Sequence, residues 1–87
     1  GRGEVVNSYT HTFCGRCPVN QQVICYILTI ETPDRILVED ILRIVKELPL
    51  AFFHEDAADI LAGKMQGKQT LRAHHHNVDI VTVRGGA

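Results

Sequence analysis

The run VICYILTI, Val23 to Ile30, has Thr29 as its one polar residue, with Asn20-Gln21-Gln22 before it and Glu31-Thr32-Pro33-Asp34 after it. It is short for a buried helix and rich in β-branched residues, so it reads as a strand. Successive side chains of a strand point to opposite faces, and here both alternating sets are apolar. The expectation is a strand covered on both sides, as inside a buried sheet. What provides the two covers decides the fold.

Working outward, Val5 to Phe13 mixes β-branched, aromatic and polar residues and reads as a second strand, forming a hairpin with the first around Gly15 to Gln22. Between Val38 and Leu48 the apolar residues Val38, Ile41, Leu42, Val45 and Leu48 recur at helical spacing, and Pro49 stops the helix. A second helix runs from His54 to about Met65, with Ala57, Ala58, Leu61, Ala62 and Met65 on one stripe. Its early acids Glu55, Asp56 and Asp59 suit the positive end of the helix dipole, and Gly67 closes it. Thr70 to His74 and Val78 to Val83 then alternate as two strands joined near His76 and Asn77.

The order is strand, strand, helix, helix, strand, strand: an α+β single domain over residues 1–87, with two helices on one face of a four-stranded antiparallel sheet. Two helices cover one face only. The second face of the apolar strand therefore predicts a homo-oligomer, its sheets joined edge to edge into a barrel that removes exposed edges.

Bulk properties narrow the function. A chain of 87 residues buries only about 60% of the surface its unfolded form exposes, so its own core is thin. The net charge is -1, and the nine Lys and Arg are scattered, which argues against binding a nucleic-acid backbone. No apolar stretch reaches the roughly 18 residues that span a bilayer, and the start has no basic-then-apolar signal pattern. Three cysteines, an odd number, make no closed disulfide framework, so the thiols read as reduced and the location as cytoplasmic. The chain opens on Gly1, which implies a trimmed start. No internal repeat, low-complexity tract or linker interrupts it.

FCGRCPVN, Phe13 to Asn20, carries the sharpest chemistry. Cys14-x-x-Cys17, with His11 nearby and His74, His75 and His76 downstream, offers thiolates and imidazoles to zinc, although consecutive histidines on a strand cannot all converge. A redox pair wants this spacing at a helix N-terminus, whereas here it precedes a strand. Cys17 as a nucleophile needs a proton-exchanging partner. FFHED offers His54 and Glu55 at the head of the second helix: an imidazole to move protons, and a carboxylate to accept two N–H donors from a flat heterocycle. Their ordinary alternatives are a capping histidine and a first-turn helix acid. Cys25 reads as a small core residue.

CPVN before a strand, Val38-Glu39 opening one helix and FHED opening the next resemble the 7-cyano-7-deazaguanine reductases of queuosine biosynthesis. These are nitrile reductases of the tunnelling fold, which also includes GTP cyclohydrolase I and the pterin synthases. The likeness runs from about Phe13 to Ile80, and that fold repeats the element order deduced above. It implies that Cys17 attacks a nitrile carbon to form a thioimide, that His54 takes part in catalysis, and that Glu55 grips the pyrimidine edge. Val38 and Glu39 would add to the substrate pocket.

Three positions depart from the family. The reductases carry a proton-donating Asp seven residues past the nucleophile, where Ile24 stands here; a Ser/Lys-rich segment associated with NADPH is replaced by DILRIVKEL; and an Arg-Gly-Gly loop is replaced by HHHN. Amidinotransferases that add ammonia to the same nitrile on tRNA need the cysteine and no nicotinamide. Partners implied are a purine, deazapurine or pterin and further copies of the chain, with no membrane, and nucleic acid only if the substrate is a modified tRNA base. A GTP cyclohydrolase I-like enzyme with zinc on Cys14, Cys17, His74 and His75 is one alternative. A non-catalytic oligomeric purine- or pterin-binding protein is the other.

Overall fold

A computed structural model describes residues 6–86; Val5, where the sequence starts its first strand, lies outside the described residues. The elements are β1 (Asn7–Arg16), β2 (Val23–Thr32), α1 (Val38–Lys46), α2 (His54–Lys64), β3 (Lys68–His75) and β4 (Val78–Arg84). The strands form one antiparallel sheet in the order β1-β2-β3-β4, and both helices are inserted between β2 and β3. The expected α+β, ββααββ arrangement is therefore present.

The core lies between the helices and one face of the sheet. β2 sends Ile24, Tyr26, Leu28, Ile30 and Thr32 inward, and β3 adds Gln69, Leu71 and Ala73. The helices answer with Ile41 and Ile44 from α1 and with Ala57, Ala58 and Leu61 from α2. The small alanines let α2 sit close on β3 and β4. Each fully buried Leu or Ile contributes about 1.5–3 kcal/mol. Two polar side chains hold α2 at its ends. Gln69 Nε2 donates to the carbonyls of Leu61 (3.2 Å) and Met65 (2.8 Å), which satisfies helix-end acceptors, and His54 is bonded at the other end.

Within one chain β2 is covered on one face only, as two helices allow. Its odd-numbered residues face away from the helices, leaving Val23 58% and Ile27 43% exposed, with Cys25 exposed between them. Val81 and Val83 of β4 lie exposed on the same outer face, beside Thr10, Thr12, Thr29 and Thr70.

Boundaries differ by a few residues. β1 continues beyond Phe13 to Arg16, which puts Cys14 inside a strand and shortens the connection to Cys17–Gln22. α1 stops at Lys46, two residues before Leu48, because the residue preceding Pro49 is disfavoured in helical conformation; the chain leaves through a tight Leu48 N–H to Val45 carbonyl bond of 3.2 Å. α2 stops at Lys64, and Met65 is already extended (φ -134°, ψ 145°). The β3–β4 turn falls on His76 and Asn77, both with positive φ (52° and 65°), as two-residue hairpins require.

Candidate functional site

Two chain segments bring the predicted residues together. The first is the β1–β2 connection. Cys17 is the first residue past β1, where its N–H donates to the Gln22 carbonyl (2.9 Å) and its carbonyl accepts from the Gln21 N–H (2.9 Å). Asn20 tightens the loop further, its Oδ1 accepting from the Gln22 N–H (3.0 Å). The second is the approach to α2. Residues 50–52 add to the free edge of β1, with Arg16 N–H donating to Leu50 carbonyl and Phe52 N–H to Arg16 carbonyl, each at 3.1 Å. That docking lays Phe52 against the sheet and starts α2 at His54, next to the Cys17 loop.

Cys17, His54 and Glu55 line one cavity of about 420 Å³, together with Ile24, Tyr26, Phe52 and the His75-His76 corner. The volume falls within the range of small-molecule sites, as does the mix of apolar walls and few polar groups. A larger hollow of about 760 Å³, between the end of α1 and β1, holds none of Cys17, His54 and Glu55. The larger hollow has its own thiol, imidazole and carboxylate in Cys14, His11 and Glu47, but the smaller one is where the residues expected from the sequence meet.

Each polar group has a definable state. His54 is buried, and its Nε2–H donates to the Leu71 carbonyl (2.9 Å) and the Thr82 hydroxyl (3.1 Å). A carbonyl can only accept, so Nε2 carries the hydrogen and Nδ1 is left as a buried acceptor with no hydrogen-bond partner. Burial pushes the His54 pKa below the ordinary value; the Leu71 bond and the nearby Glu55 charge oppose this, and Arg84 adds to it. The ring is neutral at pH 7 and open to take a proton.

Tyr26 is almost fully buried, and burial, then the charges of Cys17 and Glu55, push its phenol upward. It stays a protonated donor on the cavity wall. Sequence reasoning passed over Tyr26 as one more apolar residue of β2. The signal was a side chain with a polar tip inside an otherwise apolar run, which when buried ordinarily seeks a polar partner. His75 also faces this cavity with an unpartnered buried Nε2, its ring 4.3 Å from that of His76, whose Nε2 accepts from Asn20 Nδ2 (2.8 Å).

Other expected site residues lie elsewhere. Val38 borders a separate hollow of about 280 Å³ beside Ser8, Thr10 and Leu42, and Glu39 is exposed on α1. Within one chain neither reaches the Cys17 cavity. The proposed zinc ligands are divided by the sheet: Cys17 and His75 are on the helix side, while Cys14 and His74 are on the outer face, where His74 Nδ1 engages Asp79 Oδ1 at 2.7 Å. Strand alternation causes the split, and among the described residues no group of three or more His, Cys, Asp or Glu side chains is placed to hold a metal ion. Within one chain the four residues are not brought to one place. Arg43, in the segment that stands where the Ser/Lys signature would be, is exposed and lies 3.4 Å from Asp40 and 3.8 Å from Glu47.

Among the described residues no helix is long and apolar enough to cross a membrane. Comparison with protein-family models, with curated proteins and with solved structures returned no match.

Proposed function

We propose that this chain binds a flat purine-like heterocycle of the 7-deazaguanine class between the Cys17 loop and the start of α2, and that Cys17 adds to a nitrile carried by that ring. The observation that supports it is that Cys17 and Glu55, far apart in sequence, border one cavity of ligand size. Glu55 at the rim accepts paired N–H donors of the pyrimidine edge, and Phe52 and Tyr26 supply apolar faces for the ring.

The addition is redox-neutral. The Cys17 sulfur forms a bond to the nitrile carbon, one C–N π bond breaks, and the thiol proton ends on the nitrile nitrogen as a thioimide. Neutral His54 takes the proton from the thiol, the Tyr26 phenol facing the same space gives its own to the nitrile nitrogen, a role Ile24 cannot fill, and the imidazolium proton restores the phenol, so the net transfer is from sulfur to nitrogen. A hydride or an amine would carry the thioimide to an amine or an amidine. The amine route matches a chain whose α1 lacks the nicotinamide signature. In the tunnelling-fold reading, further copies join at the sheet edges and bring Val38 and Glu39 of a neighbour to the site, and the free thiol suits a reducing compartment such as the cytoplasm.

Incubation with 7-cyano-7-deazaguanine tests this. The intact mass rises by that of the ligand, and Cys17→Ala abolishes the gain; an unchanged wild-type mass overturns covalent engagement. Ile24, buried in the wall where the family has its acid, favours a second reading, a non-catalytic purine- or pterin-binding oligomer. Calorimetric binding of the same ligand with no adduct selects it.

A further inference from the structure

On the outer face of the sheet, away from the Cys17 cavity, Cys14 of β1 and Cys25 of β2 stand directly opposite one another in the antiparallel register. Both are exposed, and their sulfur atoms are 2.8 Å apart. That is well inside ordinary non-bonded contact, which for carbon lies at about 3.5–4.0 Å and for the larger sulfur lies further out. Directly opposed residues of an antiparallel pair have Cα atoms about 4.5–5.5 Å apart, within the span a disulfide bridges. The backbone thus needs no rearrangement to join them. Cys17 is excluded from the pairing, because it is buried on the opposite side of the sheet.

We propose that Cys14 and Cys25 are a reversible dithiol–disulfide pair that clamps the β1–β2 hairpin and takes up oxidising equivalents from small disulfides of the glutathione type. One thiolate attacks the small disulfide, forming a mixed disulfide and releasing one glutathione thiol. The second thiol, already in contact, displaces the other glutathione as its own proton is lost. Two protein thiols become one disulfide, and one molecule of oxidised glutathione becomes two of reduced glutathione. The clamp closes a ring that contains the whole Cys17 loop, so its two states differ in how firmly that loop is held. The pair stands independently of what the cavity binds.

The test uses the whole protein with oxidised glutathione, followed by thiol counting and non-reducing peptide mapping. Free thiols fall from three per chain to one, with no glutathione retained, and the mass falls by two hydrogens. Trypsin cuts after Arg16, which separates Cys14 from Cys25 but leaves Cys17 with Cys25, so the map is read in Cys17→Ser as well. There the crosslink forms as in the wild type and no thiol remains. Cys14→Ser and Cys25→Ser each accumulate the mixed disulfide, which the wild type does not. Retained glutathione on the wild-type chain, a crosslink through Cys17, or three unreacted thiols overturns the proposal; if the serine variants fail to fold, fragment-ion sequencing of the wild-type crosslinked peptides, which locates the bond on Cys25 or on Cys17, decides it.

Discussion

Replacing Gly15 with alanine tests how the cavity wall is held. A β-carbon at Gly15 would lie 2.4 Å from Phe52 Cζ and 2.6 Å from Cε2, against a comfortable carbon separation of about 3.5–4.0 Å. The ring must therefore retreat by about 1 Å, and it is wedged between β1 and Tyr26, whose ring centroid is 5.2 Å from its own. Overpacking of this kind costs about 1–3 kcal/mol. Alanine also restricts the unfolded chain, which offsets about 0.4–1 kcal/mol. The net expectation is a loss of about 1.5 kcal/mol, a fall in melting temperature of about 6–12 °C for a domain of this size. Phe52→Leu removes the ring edge that the new methyl meets. In that background Gly15→Ala becomes neutral or slightly stabilising, a coupling of about 1–2 kcal/mol. Urea unfolding of the four members of the cycle, with unchanged denaturant slopes, measures it. Equal effects of Gly15→Ala in both backgrounds would refute the claim that the Phe52 ring occupies the space above Gly15.

Two further outcomes concern the polar groups of the cavity. His54 has a pKa lowered by burial, so the unfolded chain binds the proton more tightly: stability is fully present above the ordinary histidine value of about 6.5 and declines as pH falls below it. Thermal melts between pH 7.5 and 5.5 show that slope, and His54→Gln flattens it while lowering stability throughout; an unchanged slope refutes the assignment. Glu55→Gln replaces a charged acceptor by a neutral amide and weakens binding of the deazaguanine probe by about tenfold to a hundredfold, as calorimetry would show, with little change in melting temperature because Glu55 is exposed.

Much of the architecture was legible because it rests on periodicity. The spacing of Ile41, Val45 and Leu48, and of Ala57, Leu61 and Met65, marks two helices, and the alternation from Thr70 onward marks the last hairpin. The β2 run carries two apolar sets, and two helices against one sheet already leave one of them uncovered in a single chain. Val23, Cys25 and Ile27 are as apolar as Ile24, Leu28 and Ile30, and composition does not reveal which set faces outward in the single chain. Cys17, His54 and Glu55 were legible as candidates by residue type, and their meeting depends on a contact no local pattern encodes: residues 50–52 docking on the edge of β1. Tyr26 was hidden by that same apolar run.

Strand alternation also explains how β1 and the residue that follows it present two cysteines for unlike purposes. Cys14 and Cys17 are three positions apart, an odd offset, so alternation alone directs them to opposite faces of the sheet. Read as a ligand pair, Cys-x-x-Cys requires a turn that folds both sulfurs to one side. β1 instead stays extended to Arg16, because its edge is paired to residues 50–52 while its other side is paired to β2. An extended strand leaves Cys14 opposite Cys25 in the open and places Cys17 beside Tyr26 and Glu55 within the cavity. The sheet itself thereby separates an exchangeable thiol pair from a solitary one, and a disulfide can form on one face without consuming the sulfur on the other.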